Sequence, residues 1–190
     1  MEYRLNVTEL PQMVREKQIL RCGDRVTLSG TVYTSRDAAH KRLTALLREK
    51  GADALPFPLQ DALIYYAGPT AAPPGRPIGA CGPTTSSRMD PYAPMLLDAG
   101  MLGMIGKGER SAAVCEAIVR NHGIYFCAVG GAGALAAAHI VSCEVIAYPD
   151  LGCESVKRLE FSDFPLLVTI DSCGGNLFAE GRSVYAAIKC

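Results

Sequence analysis

The chain has 190 residues, room for one domain with a sizeable core or at most two small lobes. Apolar residues make up 49% and charged residues 20%, the balance of a globular protein rather than a disordered chain. With 19 Lys and Arg against 19 Asp and Glu the formal net charge is zero, which removes the electrostatic footprint of a duplex-binding domain or a polybasic membrane module.

The opening MEYRLNVTEL reads as a polar lead-in with early acidic residues and no secretory signal. After a turn at Gly23-Asp24, residues 25–34 alternate, with Val26, Leu28, Gly30 and Val32 on one face, and predict a half-buried strand. Ser35 is placed to cap a helix over 36–50, with Leu43, Leu46 and Leu47 as its buried stripe and Gly51 as its stop. ALIYYA (62–67) predicts a short apolar strand. The proline- and glycine-rich passage 68–87 admits no regular element over most of its length, and ordered loops of that length are often functional. A short helix is expected over 90–100, a strand over 101–106, a helix from the Ser111 cap to Arg120, and a strand over 123–129. Residues 121–143 carry no Asp, Glu, Lys or Arg and reach the length of a membrane span. His122, His139 and several glycines interrupt that run, which reads instead as buried strand, tight turn and Ala-rich helix. Beyond Glu144 the segments CEVIAY, VKRLEF, PLLVTI and NLFAE predict short strands, with a hairpin turn at 171–175. The expectation is a single α/β domain over 1–190 with a mixed sheet.

Four clusters could carry chemistry. Gly131, Gly133 and Ala136 satisfy the G-x-G-x-x-A dinucleotide fingerprint, with Asp150 downstream; the same small residues also suit close helix–strand packing. A helix starting at Arg36 places Asp37 and His40, and Arg36 and His40, on one face. Asp37 could orient the imidazole while Arg36 attracts an anion, or these residues form a solvated first turn. Thr84, Thr85, Ser86, Ser87 and Arg88 put four hydroxyls and a guanidinium on a Gly/Pro loop before a helix, a natural carboxylate or phosphate site or a hydroxyl-rich cap. Lys107 stands between two glycines at a strand's end, as a ligand-facing ammonium or a plain turn lysine. Arg36, Arg88 and Lys107 thus fall at strand–helix junctions, where α/β folds place ligands, and together suit a small dianion. The eight cysteines (22, 81, 115, 127, 143, 153, 173 and 190) show no CxxC pair and no zinc spacing. They read as small, mostly buried hydrophobes in a reducing, cytoplasmic setting; an iron–sulfur site made by this chain alone would need three or four thiolates brought together from distant positions, which the spacing does not support.

The strings TSRDAAHKR, YYAGPTAAPPGRPIGACGPTTSSRMD, MIGKGERS and YPDLGCESV occur in consistent order across nearly the whole chain. In them it resembles the β subunit of class I iron–sulfur hydro-lyases, the family of class I fumarate hydratase and L(+)-tartrate dehydratase. The resemblance implies a swivelling β/β/α domain working against a larger α subunit, in an assembly such as α2β2, with no nucleic acid or membrane partner. It implies a [4Fe–4S] cluster held by that partner's own cysteines, and a dicarboxylate gripped by Arg36, the Thr84–Arg88 loop and Lys107. Thr84 becomes the candidate base for the carbon-bound proton of malate, and His40 with Asp37 a second candidate for proton transfer. The IGKGERS and GGAGALAAAHI strings look more like the fumarase branch, so reversible hydration of fumarate to malate leads and tartrate dehydration follows. Cys81 departs from the small residue usual before GPTT. A nucleotide-binding module built on Gly131–Ala136, and a scaffold without catalytic residues, remain as alternatives from other classes.

Overall fold

The computed structural model describes residues 1–186, so Cys190 lies outside the described residues. Seven strands form one mixed sheet: β1 (Glu2–Asn6), β2 (Arg25–Thr34), β3 (Leu63–Tyr65), β4 (Gly103–Gly106), β5 (Ile124–Cys127), β6 (Ile140–Ala147) and β7 (Val156–Ile170). Their order is β1-β2-β3-β4-β5-β7-β6, and β2 also pairs with β7. That extra pairing closes β2, β3, β4, β5 and β7 into a five-stranded barrel, with β1 and β6 as extensions. β2 to β5 run parallel, so their C-terminal ends share one rim; β7 runs antiparallel to β2 and β5 and begins at that rim, Lys157 opposite Thr34.

Alternation along the strands sorts residues between two cores. Leu63, Tyr65 and Ala67 point into the barrel, joined by Val26, Leu28, Val32, Ile105, Ile124, Phe126, Phe161 and Phe164. Ile64, Tyr66, Met104 and Tyr125 point outward beneath α1 (Asp37–Lys50), α2 (Ala93–Asp98) and α3 (Ala112–Arg120). Two further helices, α4 (Gly133–Ala138) and α5 (Leu177–Ala186), complete the chain. The expected α/β class with a mixed sheet is observed.

Several local expectations change, each for a physical reason. The polar lead-in is strand β1, paired in parallel with residues 25–29; its pattern is half-exposed, so no apolar run marks it. VKRLEF and PLLVTI are one strand, because the break between them is a bulge and not a turn. Gly30 pairs with Phe161 and Leu28 with Phe164, leaving one extra residue on β7, and Asp163 takes a left-handed φ of 52°. The Ser29 hydroxyl accepts the Asp163 N–H at 2.9 Å and secures the bend. NLFAE belongs to helix α5 rather than a strand: Asn176 Oδ1 accepts the amides of Phe178 and Ala179, an N-cap that outweighs a five-residue apolar pattern. The turn at 171–175 forms, with Asp171 Oδ1 accepting the N–H groups of Cys173 and Gly175, but it leads into that helix. Ser35 does not cap α1. Arg36 occupies the cap position without a capping side chain, and Glu154 from the 149–154 turn reaches the Ala38 amide at 3.4 Å. The helix expected over 90–100 shortens to α2 because Asp90 is drawn to the loop before α3.

The uncharged stretch 121–143 is buried strand β5, a turn and α4, and among the described residues no helix is long and apolar enough to cross a membrane. Its G-x-G-x-x-A string opens no βαβ unit, since β6 pairs antiparallel with β7. The glycines serve close packing: Gly133 O accepts the Cys81 amide at 2.9 Å, and a Cβ on Gly133 would stand 3.1 Å from Gly82 N. Asp150 is held by Arg42 through two hydrogen bonds of 2.9 and 2.6 Å.

Candidate active site

The rim at the C-terminal ends of the parallel strands gathers most of the candidates. Arg36, Asp37 and His40 follow β2, the loop through Thr84–Arg88 follows β3, Lys107 follows β4, and Gly130 lies just beyond β5. Direct contacts join these segments. Thr85 bridges Lys107, Arg88 pairs with Asp37, and a Cβ on Gly130 would stand 3.4 Å from Lys107 Cδ. Arg36 lies so close to Gly68 that a Cβ there would stand 2.8 Å from its guanidinium.

Each side chain has a definite setting. Arg36 is largely buried and pairs with Glu154 at 3.1 Å, while its Nε has no partner. Arg88 is half-exposed; its partner Asp37 leaves Oδ1 buried and unpartnered. The Thr84 amide donates to Tyr66 O at 2.7 Å, which fixes that half-buried residue on the rim. Thr85 and Ser87 are exposed, whereas Ser86 is fully buried. Its hydroxyl accepts the Lys107 amide at 3.1 Å and lies 2.8 Å from the Tyr125 hydroxyl, so it ties the loop to the end of β4. The Lys107 ammonium makes no ion pair among the described residues.

His40 has no exposed surface. Asp37 does not orient it: the Nδ1 lies 2.7 Å from Ser35 Oγ and 3.1 Å from the Arg36 carbonyl. That carbonyl can only accept, which assigns the proton to Nδ1 and leaves Nε2 a bare lone pair beside the Tyr66 and Tyr92 rings. Burial, reinforced by the positive charge of Arg110, pushes the imidazole down to about 4, against the opposing effects of the Arg36 carbonyl and Asp37. The ring is therefore neutral at pH 7. An ordinary histidine titrates near 6.5, so as pH falls the unfolded chain takes up this proton before the folded one. Stability should fall between about pH 6.5 and 4, by about 3 kcal/mol from this group, and be indifferent to it above that window. Urea unfolding at pH 7 and 4.5 tests this. His40→Asn, which keeps a donor near Nδ1, should lose most of that slope.

Sequence reasoning missed Glu154, Lys157, Asp90 and Arg110, although the first two adjoin or lie in the YPDLGCESV string and the others lie in SSRMD and GERS. Lys157 is buried, and its Nζ donates to the carbonyls of Gly152, Cys153 and Ser155 and to Ser155 Oγ, at 2.7 to 3.2 Å. Burial lowers its ammonium, against the nearby Cys143, Cys153 and Cys81 thiols. Arg110 is buried against Asp90 at 2.7 Å. Cys81 is a buried small hydrophobe whose thiol burial pushes up to about 12, and its carbonyl accepts the Tyr65 hydroxyl at 2.6 Å.

Two features mark the rim as a site. Of the seven buried side-chain polar atoms without a partner among the described residues, five lie here: Arg36 Nε, Asp37 Oδ1, His40 Nε2, Tyr66 Oη and Arg110 Nη2. Arg36 and Asp37 also reach the surface of the rim, where a ligand or ordered water can meet them, whereas the side chains of His40, Tyr66 and Arg110 have no exposed surface. Charge points the same way. Three cations (Arg36, Arg88 and Arg110) are paired with three carboxylates (Glu154, Asp37 and Asp90), and two, Lys107 and the buried Lys157, have no carboxylate partner among the described residues.

The strand exit itself is sterically closed to larger residues. A Cβ on Gly106 would overlap the Ser86 hydroxyl and stand 3.0 Å from Tyr66 Cδ2. Gly106→Ala should displace Ser86, detach Lys107 from the loop and cost about 1–3 kcal/mol, the usual penalty of overpacking. A denaturant melt checks the cost.

The Fumarase C-terminus family matches residues 2–181. The anaerobic class I fumarate hydratase of Escherichia coli (strain K12) is 40% identical over 158 residues, which cover 82% of this chain and 28% of that protein. Mitochondrial fumarate hydratase 1 of Leishmania major is 34% identical over 173 residues, 90% of this chain and 31% of that protein. The L(+)-tartrate dehydratase subunit beta of Escherichia coli (strain K12) is 31% identical over 181 residues, covering 93% of this chain and 88% of the subunit. The chain thus spans under a third of the length of these fumarate hydratases and most of the tartrate dehydratase subunit. With a match across nearly its whole length, the chain belongs to the Fumarase C-terminus family.

Proposed function

We propose that this chain is the dicarboxylate-binding half of a hydro-lyase that interconverts fumarate and malate together with a larger, cluster-bearing partner. The observation that carries the reading is the exposed Arg88 on the same rim as Lys107, whose ammonium makes no ion pair among the described residues, two cations that suit a dianion. In this reading Arg36, Arg88 and Lys107 hold the two carboxylates, and Thr85 and Ser87 supply hydroxyl donors. Removing a proton beside a carboxylate builds charge on that group, and fixed guanidinium and ammonium groups stabilise it. Thr84 takes the carbon-bound proton of malate. A neutral threonine hydroxyl cannot hold that proton, so Thr84 acts as its alkoxide, stabilised by the ammonium of Lys107, to which its neighbour Thr85 is bridged; taking the proton returns Thr84 to the hydroxyl as hydroxide leaves malate. Departure of the hydroxyl is assigned to the partner.

A [4Fe–4S] cluster does not fit this chain's own donors. Among the described residues no group of three or more His, Cys, Asp or Glu is placed to hold a metal. The proposal therefore places the cluster on the partner. Support for a protein partner comes from Val129, just beyond β5, and Val145, paired with Lys157 at the rim, large apolar side chains left exposed. The higher identity to fumarate hydratases, 40% against 31% for the tartrate dehydratase subunit, favours fumarate as substrate.

The test is an anaerobic assay of fumarate and malate interconversion by the chain copurified with its native partner. Activity in the assembly and none in either component alone is expected. Turnover of tartrate but not malate would move the substrate, and inactivity on both would overturn the reading.

A further inference from the structure

Arg110 has a setting that stability alone does not explain. Its side chain is fully buried, its Nε donates to Asp90 Oδ1 at 2.7 Å, and the other carboxylate oxygen accepts the Ser111 amide at 2.7 Å. The guanidinium lies over the rings of Tyr66 and Tyr125, 5.4 and 5.0 Å from their centroids, and Nη1 meets Met104 Sδ at 3.2 Å. An apolar residue would fill this space without the cost of desolvating a charge. The helices that follow Asp90 and Arg110, α2 and α3, are already tied at the surface by Arg120 and Asp98.

What the buried pair adds is direction. Asp90 directly follows the 3₁₀ turn Ser86–Met89, and its backbone amide donates to Ser87 O. At the turn's other end Ser86 exchanges hydrogen bonds with Lys107: its amide donates to Lys107 O at 2.9 Å, and its hydroxyl accepts the Lys107 amide. The Tyr125 ring under the guanidinium carries the hydroxyl that reaches Ser86 and Gly108 O, 2.8 Å from each. Both ends of the turn that carries Arg88 are thus anchored to one buried cluster, and so is Lys107.

We propose that Arg110 is a positioning residue: through Asp90 and the Tyr125–Ser86 link it holds the Arg88 turn in register with Lys107, so that the two cations keep a fixed spacing for a dicarboxylate. The proposal rests on the reading of the rim as a dicarboxylate site. Arg110 touches no substrate, and its effect falls on binding.

The experiment compares Arg110→Met, Arg110→Lys and a control, Arg120→Met, in the chain assembled with its partner. For Arg110→Met, KM for fumarate and the inhibition constant of succinate should rise about tenfold with kcat within about threefold, the pattern of lost uniform binding. Arg110→Lys should recover part of the loss, and Arg120→Met should lower the melting temperature without moving KM. In the chain alone, amide exchange at Ser86, Asp90, Lys107 and Ser111 should quicken about tenfold or more in Arg110→Met, while amides of β2 and β7 keep their protection. Unchanged KM and succinate inhibition, or exchange that quickens evenly across the fold, would overturn the proposal. If the wild-type assembly neither turns over nor binds a dicarboxylate, the reading of the rim fails, and the exchange pattern alone decides the role of Arg110.

Discussion

Arg88→Met in the chain assembled with its partner is expected to lower kcat/KM for fumarate hydration by about a hundredfold or more, equivalent to about 3 kcal/mol or above. Two losses combine. The rim gives up a positive charge, and a guanidinium fork that can hold a carboxylate with two hydrogen bonds disappears. Asp37 is then left half-buried without its partner, with Oδ1 already unsatisfied, and it repels the incoming dianion. That second effect is separable. Arg88→Met combined with Asp37→Asn should recover about tenfold over Arg88→Met alone, because the neutral amide removes the repulsion. Arg88→Lys should fall between wild type and Arg88→Met, since it restores charge without the fork. Steady-state kinetics on wild type and the three variants measure both effects. A loss under about threefold in Arg88→Met would remove this residue from substrate binding, and no recovery in the double variant would mean that Asp37 is not the source of the repulsion.

The largest effect on stability is expected at Phe161. Its ring stacks on Phe164 with centroids 4.1 Å apart, and both meet the face or edge of Tyr65 at 5.8 and 5.6 Å. All three side chains are buried within the barrel. Phe161→Ala removes a stacked ring from a closed interior that cannot collapse inward, which costs about 3–5 kcal/mol. For a chain of this length that corresponds to a fall of about 10 °C in Tm. Denaturant titration and a thermal melt give the two numbers. Phe178→Ala, on the outer helix α5 where the ring is only partly buried, should cost much less. Equal costs at the two positions would mean that the barrel interior is not the main core.

The depressed titration of His40 and the buried pair at Arg110 show why part of the site could not be read in advance. That Arg36, Asp37 and His40 open one helix follows from spacing, and the helix does begin at Asp37. Their pairing does not follow. Asp37 turns to Arg88 and Arg36 to Glu154, partners supplied by separate loops that only closure of the barrel brings to the rim. Ser35 looked like a helix cap, yet its hydroxyl is taken by His40 Nδ1, and a buried imidazole is a more demanding neighbour than a free helix end. Arg110 carried no local signal, since an arginine after a Gly-Glu pair in a loop looks solvated until Tyr66 and Tyr125 arrive from two other strand segments.

By itself the sequence determined the local elements and the chemistry on offer. Period-two alternation in β2, the stripe and glycine stop of α1, and the hydroxyls and cations placed after successive strands are properties of neighbouring residues. Tertiary structure alone decided how these join. A bulge at Asp163 turned two predicted strands into one, which lets β7 pair with both β2 and β5 and close the barrel. An Asn176 cap made a helix of a segment whose apolar run suits a strand equally well. Closure also set the charge balance of the rim, because ion pairs depend on distances between segments far apart in the chain, and no local pattern encodes those distances.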